Sequence, residues 1–460
     1  MLNRTFRTIL LATFFLPALC AVTPAEEIAP TPPMGWNSWD AYGFTIDEKD
    51  FKANTQELAR LRSYGWTYAV IDEGWYMGNP FGDNLQARRY VLDEHGLLIP
   101  APERFPSSAN GRGFKPLADW VHAQGLKFGL HIVRGIPKEA VNTNVSIAGA
   151  SFRATDAADT TDTCPWDPGN YGLRDNTAGQ SYYDSMLALY AAWGVDFVKV
   201  DCVADHPYKV SEIRQIAQAI AKAGRPIVLS LSPGPTAPAH AAEIRQYGQM
   251  WRISNDVWDG WIFEHKRPDD DFPMGVRNIF DRLLPWVGQA GEGRWPDADM
   301  LPFGMLAPHP GWGVPRKSRL SADEERTQLS LLAIARSPLI LGANLTKLDK
   351  TTRALLTNPD VIGVDQKTHD NHPVEHLPAG FENVRVWVAA GPDGKRFLGV
   401  FNLDDKPVSL QTTWNELGLD AGKHPARDLW DGQRLDASDH LKISLPPHGS
   451  TLYEVGNTAR

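Results

Sequence analysis

The chain has 460 residues, which is more than one ordinary domain and predicts two. Hydrophobic residues make up 42% and charged residues 22% of the chain, so a sizeable core can form and bulk disorder is excluded. The net charge of −9 argues against a nucleic-acid partner, because nucleic acids are bound through basic surfaces.

Residues 1–25 have the features of a signal peptide. Arg4 and Arg7 precede an apolar stretch over residues 9–19, and small residues follow it, Cys20 among them. Cys20 raises the alternative of a lipoprotein, but Leu19 does not fit the small residue expected before a lipidated cysteine. The apolar stretch is too short to span a bilayer, and no later stretch is long and apolar enough to do so. We therefore expect a secreted or periplasmic protein with no membrane span.

Short apolar runs alternate with helical patterns such as Val210–Ala223 and Ala322–Ala335. This alternation is typical of a parallel sheet, and eight such units predict a (β/α)8 TIM barrel over residues 26–370. An open doubly wound sheet is the alternative, but it favours a GxGxxG loop that the chain lacks. The eight runs are Met34–Trp39, Tyr68–Asp72, Lys127–Val133, Val195–Asp201, Ile227–Ser232, Met250–Asp256, Trp295–Met300 and Pro338–Leu341.

The pattern changes near residue 380. Short strand-like runs at Val384–Val388, Arg396–Phe401 and Leu441–Leu445 are separated by turn sequences such as Pro392–Gly394. This pattern predicts a small antiparallel β-sandwich domain over residues 371–460, with the boundary between residues 365 and 380.

A long segment over residues 136–180 shows little periodicity. It carries four aspartates, and a calcium site is one interpretation of them. Their spacing lacks the ordered ligand pattern of a calcium loop, so we expect a solvated loop and no metal. The four are Asp156, Asp159, Asp162 and Asp167.

Three of the predicted strands end in a carboxylate: Asp72, Asp201 and Asp256. Barrel enzymes gather their catalytic residues at the carboxyl ends of the strands, whereas a single such Asp is better explained as a helix cap. Lys199 lies two residues before Asp201 and Arg252 four before Asp256, so each pair shares a face. Two carboxyl groups can cleave a glycosidic bond. Structural ion pairs at the barrel mouth, or another barrel chemistry, remain the alternatives.

Six segments, in order, resemble the motifs of glycoside hydrolase family 27 over residues 30–345. That family contains α-galactosidases, α-N-acetylgalactosaminidases, β-L-arabinopyranosidases and isomaltodextranases. The segments are MGWNSWD (34–40), YAVIDEGW (68–75), GLKFGLHI (125–132), WGVDFVKVD (193–201), MWRISNDVWD (250–259) and WPDADML (295–301).

The resemblance implies an exo-acting retaining glycoside hydrolase, first of all an α-galactosidase, that needs no cofactor. Its substrates would be glycosides at the ends of oligosaccharides or polysaccharide side chains. A β-L-arabinopyranosidase or another family 27 specificity is the alternative. A non-catalytic carbohydrate-binding protein is an alternative from another class, and the 16 tryptophans fit either sugar stacking or a large core. Both Asp201 and Asp256 are present with their basic partners, which argues against a mere binder.

The resemblance also carries residue roles. Asp201 matches the nucleophile and Asp256 the acid/base, which in a retaining enzyme lie about 5–6 Å apart. The substrate-binding residues it implies are Trp39, Asp72, Glu73, His131, Lys199, Ser232, Arg252 and Asp299.

The chain departs from the family pattern at four places. Glu73 stands where Asp is usual, and its extra methylene moves the carboxylate towards the C6 position of a galactose-like sugar. This is reminiscent of the β-L-arabinopyranosidases, whose sugar lacks C6. His131 replaces an aromatic residue, and Ser232 lies in a loop whose other residues match neither large group. Cys202 follows the nucleophile by one residue instead of two, so a bridge to Cys164 and two separate buried thiols both remain open.

Overall fold

The computed structural model describes residues 28–80, 88–265, 271–307 and 314–456. The predicted signal peptide lies outside the described residues. Within them, no helix is both long and apolar enough to cross a membrane.

The first part of the chain alternates strands and helices. Its strands are β1 (Met34–Asn37), β2 (Tyr68–Ile71), β3 (Lys127–Val133), β4 (Ile136–Pro137), β5 (Ala158–Thr163), β6 (Asn170–Leu173), β7 (Phe197–Asp201), β8 (Val228–Leu231), β9 (Met250–Arg252), β10 (Trp295–Asp297), β11 (Met305–Leu306), β12 (Arg316–Lys317) and β13 (Leu339–Leu341). The helices are α1 (Trp39–Tyr42), α2 (Glu48–Leu61), α3 (Lys115–Ala123), α4 (Lys138–Asn142), α5 (Ala154–Ala157), α6 (Thr177–Trp193), α7 (Val210–Ala223), α8 (Ala241–Tyr247), α9 (Val276–Leu283), α10 (Ala322–Ala335), α11 (Lys350–Leu356) and α12 (Pro359–Lys367).

The helix boundaries follow local sequence signals. At the start of α10 the Ser321 hydroxyl accepts a hydrogen bond from the Glu324 backbone, and the Glu324 carboxylate accepts one from the Ser321 backbone. At the end of α7, Gly224 takes the left-handed conformation (φ 70°) that terminates a helix. Both helices have the bounds that the sequence pattern predicts.

In the described part of the chain, eight parallel strands form one curled sheet in the order β10-β9-β8-β7-β3-β2-β1-β13. The segment after β10 joins the sheet's two edges, because Leu301 donates to Ile340 O at 2.7 Å and accepts from Gly342 N at 3.0 Å. The predicted (β/α)8 barrel is confirmed, and each predicted apolar run contains one of its strands. The carboxyl ends of parallel strands meet at one end of the barrel, so residues that follow them are brought together.

The segment over residues 136–180 is not the solvated loop that the sequence analysis predicts. It contains α4 and α5, and its strands β4, β6 and β5 form a small antiparallel sheet in that order. Asp162 pairs with Arg134 at 2.8 Å and with Lys209 at 2.8 Å, and Asp167 is buried. The prediction was wrong because these aspartates find cationic partners elsewhere in the chain, which no local spacing reveals.

The C-terminal part is an antiparallel β-sandwich, as predicted. One sheet has the order β14-β15-β16-β21-β18-β19 and the other pairs β17 with β20. Alternate residues of β20 are buried (Leu441, Ile443 and Leu445), which is the pattern of a strand with one face on a core. The strands are β14 (His369–Pro373), β15 (Val384–Ala390), β16 (Arg396–Asn402), β17 (Val408–Thr413), β18 (His424–Asp428), β19 (Arg434–Ser438), β20 (His440–Leu445) and β21 (Ser450–Val455).

The sandwich packs against α10 of the barrel. The Trp430 indole donates to the Ser330 hydroxyl at 3.0 Å, and the Thr327 hydroxyl donates to the His448 carbonyl at 2.6 Å. The His448 ring stacks on Trp261 with 4.1 Å between centroids. These contacts join the sandwich to the outside of the barrel and leave the carboxyl ends of the barrel strands open.

Candidate active site

A cavity of about 550 Å³ lies at the carboxyl ends of the barrel strands. Its size fits a small-molecule site. Nine of the ten residues that the sequence analysis proposes for the site line it: Trp39, Asp72, Glu73, Lys199, Asp201, Ser232, Arg252, Asp256 and Asp299. Other lining residues, which were not predicted for this site, include Asp40, Phe44, Arg88, Trp166, His206, Phe272 and Asp167, the last considered only as a calcium ligand.

Asp201 is the last residue of β7, and its carboxylate is held from two sides. Oδ1 accepts from the Cys202 backbone N–H at 2.6 Å, and Oδ2 lies 3.5 Å from His131 Nε2. Burial would raise the pKa of Asp201, but the His131 hydrogen bond, the nearby Lys199 charge and the Cys202 N–H together lower it below its usual value. The group is thus an anion over the neutral pH range, as a carboxylate nucleophile must be.

His131 is the one proposed site residue that lies outside the cavity lining, among the described residues. Its side chain is 1% exposed, its Nε2 faces Asp201, and its backbone carbonyl accepts from the Trp75 indole at 2.8 Å. His131, predicted to bind substrate, thus has its Nε2 on the Asp201 carboxylate in this structure.

Asp72 and Lys199 form a buried ion pair on the cavity floor. Lys199 Nζ lies 3.0 Å from Asp72 Oδ2, and the same oxygen accepts from the Asn37 amide at 2.6 Å. Burial would raise the pKa of Asp72, but the charges of Lys199 and His131, the Glu73 N–H and the Asn37 amide together outweigh burial and hold it well below its usual range. Lys199 keeps its proton for the same reason, since Asp72 and Asp201 raise its pKa against burial. The pair offers a fixed acceptor and a fixed donor to a polar ligand.

Arg252 joins the two carboxylates on the opposite side. Its guanidinium lies 2.9 Å from Asp299 Oδ1 and 3.1 Å from Asp256 Oδ1. The Asp256 side chain is 31% exposed, whereas Arg252 and Asp299 are 3% exposed. Burial raises the pKa of Asp299 to about 7 against the opposing charge of Arg252, and Asp256 adds to the rise. Asp256 is therefore the carboxyl group of this cluster that water can reach.

The backbone is unusual at two of these places. Asp299 has φ 80° and Cys202 has φ 63°, in the left-handed region that residues other than glycine rarely adopt. Asp299 is held there by its side chain, which accepts from the Val257 N–H at 2.6 Å. Such outliers cluster at functional sites, where the surrounding contacts fix them.

One wall of the cavity is built from Glu73, Arg88 and Asp167. Arg88 Nη1 lies 2.9 Å from Asp167 Oδ2 and 3.5 Å from Glu73 Oε1. The sequence analysis named Glu73 but missed the other two. They lie 79 residues apart in sequence, in segments without periodicity, so no local signal could have found the pair.

Trp39 and Ser232 lie at the remaining walls. Trp39 follows β1 and packs edge-on against Phe44 with 5.1 Å between ring centroids. Ser232 follows β8 and is buried, and its backbone N–H donates to the Val200 carbonyl at 2.9 Å. Trp39 thus contributes a flat apolar face and Ser232 a small side chain.

Asp40 is a second acidic group that the sequence analysis missed. It lines the cavity at 2% exposure, and its Oδ2 has no hydrogen-bond partner among the described residues. Gly342 is required beside it, because a Cβ atom there would collide with the Asp40 carboxyl group. Burial, and then Asp299 and Asp256, raise the pKa of Asp40 well above its usual value.

The two cysteines left open by the sequence analysis form a disulfide. Cys164 and Cys202 have Cα atoms 5.9 Å apart, and both side chains are buried beside Val133. The bridge ties the segment before Asp167 to the residue after Asp201. It thereby links one wall of the cavity to the strand that carries the central carboxylate.

Among the described residues, no group of three or more His, Cys, Asp or Glu side chains could hold a metal ion. The acidic groups are instead each placed near Lys199, Arg252 or Arg88.

Among the cavity-lining carboxyl groups of this (β/α)8 barrel, an anionic, partly buried Asp201 and a partly exposed Asp256 beside an arginine fit the two-carboxylate chemistry of a glycosidase. Comparison with known proteins gives the family. Residues 156–367 match the family model described as alpha galactosidase A, and residues 381–455 match that of the alpha galactosidase C-terminal beta sandwich domain.

Similar proteins extend over nearly the whole chain. The structure of a β-L-arabinopyranosidase of glycoside hydrolase family 27 from Geobacillus stearothermophilus is 39% identical, with a TM-score of 0.86 over 93% of this chain and 97% of that one. Alpha-galactosidase I from Mortierella vinacea is 25% identical, with a TM-score of 0.71 over 95% and 99%. Alpha-galactosidase A of Cellvibrio japonicus is 27% identical over 94% of this chain and 93% of its own length. The chain belongs to glycoside hydrolase family 27.

Proposed function

We propose that this glycosidase is an exo-acting, retaining enzyme that releases a terminal galactose-configured sugar, with α-galactosidase as its first candidate activity. The observation that carries the proposal is the cavity in which Asp201 and Asp256 face one ligand-sized space, with the Glu73–Arg88–Asp167 wall on one side. A walled pocket takes the end of a sugar chain, whereas an open groove takes its middle. Alpha-galactosidases among the relatives support the choice of sugar.

In the proposed mechanism Asp201 attacks the anomeric carbon while the bond to the leaving oxygen breaks. Asp256 gives its proton to that oxygen, and a covalent glycosyl-enzyme forms. Asp256 then takes a proton from water as the water attacks the anomeric carbon and displaces Asp201. Two inversions give net retention. The anionic state of Asp201 and the solvent access of Asp256 support these roles.

The floor of the cavity provides the proposed sugar contacts. Asp72 and Lys199 present an acceptor and a donor 3.0 Å apart, and Arg252 and Asp299 present a second such pair at 2.9 Å. Paired groups of this kind suit neighbouring hydroxyls of a sugar ring, since each hydroxyl can donate and accept. Trp39 supplies an apolar face for the C–H side of the ring.

A β-L-arabinopyranosidase is the second candidate. Its sugar has the ring configuration of α-galactose without the C6 hydroxymethyl group. The longer Glu73 side chain, held beside Arg88, is the observation that favours it, because it fills space that a C6 group would need. The 39% identity to a β-L-arabinopyranosidase points the same way.

The wider setting is proposed from the sequence. The N-terminal 25 residues act as a signal peptide, the mature protein is secreted or periplasmic, and the Cys164–Cys202 disulfide suits an oxidising compartment. The sequence predicts the catalytic barrel over residues 26–370 and the sandwich over residues 371–460, and β14 of the sandwich sheet begins two residues earlier, at His369. Natural substrates are glycosides on oligosaccharides or polysaccharide side chains.

A panel of 4-nitrophenyl glycosides tests the proposal. The panel holds the α-D-galactoside, β-L-arabinopyranoside, α-N-acetylgalactosaminide and α-D-glucoside, and kcat/KM is measured for each. We expect the first two to exceed the others by at least about tenfold, with NMR showing the initial product anomer to be that of the substrate. A preference for the glucoside, or an inverted product, would overturn the proposal.

A further inference from the structure

The wall formed by Glu73, Arg88 and Asp167 contains two carboxyl groups and one guanidinium. The exposed fractions of the three side chains are 9%, 8% and 5% respectively. Buried carboxylates need compensation by cations or hydrogen-bond donors, because burial disfavours the charged form. One guanidinium can neutralise only one of the two carboxylates.

Asp167 is the carboxyl group that receives this compensation. Its Oδ2 lies 2.9 Å from Arg88, and its Oδ1 accepts from the Tyr90 hydroxyl at 3.2 Å and from the Gly169 N–H at 3.1 Å. Arg88 is itself fixed, because its guanidinium lies over the Phe44 ring at 4.3 Å from the centroid. Three donors therefore converge on Asp167, which makes it the better-compensated carboxyl group of the wall.

Glu73 has the opposite surroundings. Its Oε1 is buried without a hydrogen-bond partner among the described residues, and the Arg88 guanidinium 3.5 Å away makes an ion-pair contact but no hydrogen bond. Arg88 Nη1 lies 3.5 Å from Glu73 and 2.9 Å from Asp167, so the two acids stand beside the same single cation. The titratable and charged groups that face Glu73 are Asp167, Arg88, Asp201, Tyr76 and Tyr90, so one cation stands against two other acids.

We propose that Asp167 and Arg88 are positioning residues that hold Glu73 as a neutral carboxyl group, whose O–H donates to Asp167 and whose Oε1 accepts from a ligand hydroxyl. This inference rests on the proposed function, because it makes the neutral Glu73 the wall that meets the sugar beyond C5. A neutral Glu73 would contact the sugar through its shape and a hydrogen bond, and it would add no further negative charge next to Asp201. Burial and the Asp167 and Asp201 charges, against Arg88, raise the pKa of Glu73 and support the neutral form.

The substitution Glu73→Gln separates a neutral wall from an anionic one. A glutamine amide can donate to Asp167 and present its carbonyl at the place of Oε1, so it mimics the protonated carboxyl group. On the glycoside that wild type cleaves best, we expect kcat/KM to fall less in Glu73→Gln than in Glu73→Met, which keeps the chain length but has neither donor nor acceptor. Loss of a hydrogen bond to a charged group costs about 10- to 100-fold, so equal losses of that size in both variants would overturn the proposal.

Asp167→Asn provides the matched test of positioning. Without the Asp167 anion, Glu73 ionises and turns to Arg88, so we expect KM to rise about tenfold while kcat changes less. Adding Glu73→Gln to Asp167→Asn should return KM towards the wild-type value, because the double variant cannot form the new ion pair. A purely structural role for Asp167 predicts no such rescue, and its absence contradicts the proposal.

The pH dependence and an infrared measurement complete the experiment. The neutral form of Glu73 is present below its raised pKa and is lost as pH rises through it, so KM should climb at alkaline pH in wild type and not in Glu73→Gln. The infrared difference spectrum between ligand-free wild type and ligand-free Glu73→Gln should contain the C=O band of a protonated carboxyl group, present only in wild type. The spectra report the protonation state of Glu73 whichever glycoside is cleaved. A wrong assignment of the neutral Glu73 can therefore be distinguished from a wrong assignment of the substrate. Identical spectra for both proteins would overturn the proposal.

Discussion

His131 Nε2 lies 3.5 Å from Asp201 Oδ2, and the His131 ring is buried beneath the cavity. The contact helps to lower the pKa of Asp201 against burial. His131→Ala should therefore raise the pKa of Asp201 and move the acid limb of kcat/KM to higher pH, because protonated Asp201 cannot attack. The pH profile of kcat/KM for wild type and variant measures this.

The matched control is His131→Gln, whose side-chain amide keeps a hydrogen-bond donor for Asp201 at this position of β3. It should leave the acid limb nearer to the wild-type position than His131→Ala does. An acid limb that does not move in either variant contradicts the assignment of His131 to the support of Asp201.

Asp256→Ala should lower the cleavage rate of substrates with poor leaving groups far more than that of substrates with good ones. Protonation of the leaving oxygen is needed most when that oxygen is basic, and general acid catalysis contributes about 10²- to 10⁴-fold. Rates for a series of aryl glycosides with different phenol pKa values measure the dependence. An equal loss across the series would assign Asp256 to positioning beside Arg252 instead.

Glu73→Asp should raise the ratio of α-galactosidase to β-L-arabinopyranosidase activity. The shorter side chain opens space beyond C5, and one methylene in a tight pocket is worth about 10- to 200-fold in kcat/KM. The ratio of kcat/KM on the two aryl glycosides gives the answer. An unchanged ratio would mean that the backbone absorbs the length of Glu73, and that it does not set the C6 preference.

The disulfide makes a prediction for stability. Thiol titration of the denatured, unreduced protein without its first 25 residues should find no free thiol, since Cys164 and Cys202 are bridged. Replacing both by serine should lower the free energy of unfolding by about 2–4 kcal/mol, measured by urea denaturation. Two free thiols in the wild type contradict the bridge.

Much of the barrel could be predicted because its strands are local apolar runs. Their hydrophobic pattern depends on neighbours in sequence, as in Lys127–Val133, which forms β3 at those bounds. The segment over residues 136–180 could not be predicted, because its short strands carry polar residues and owe their pairing to the tertiary fold.

Some residues of the candidate site could likewise be predicted from the sequence and others could not. Asp201 ends β7, Asp256 follows β9, and each shares a motif with its basic partner, so the sequence singles them out. Arg88 and Asp167 lie in irregular segments, and only the tertiary structure shows that they form one cavity wall with Glu73. Asp40 belongs to the motif at β1, but its burial without a hydrogen-bond partner is visible only in the structure.

The central claim is that Asp201 is the nucleophile of a retaining glycosidase, and Asp201→Ala with azide tests it most directly. With an activated aryl glycoside as substrate, kcat should fall by at least about 10³-fold, because the covalent route is lost. Added azide should restore part of the turnover and yield a glycosyl azide of inverted configuration, since the small anion attacks from the vacated side. A variant that keeps near-normal kcat, or that azide does not rescue at all, would contradict the account.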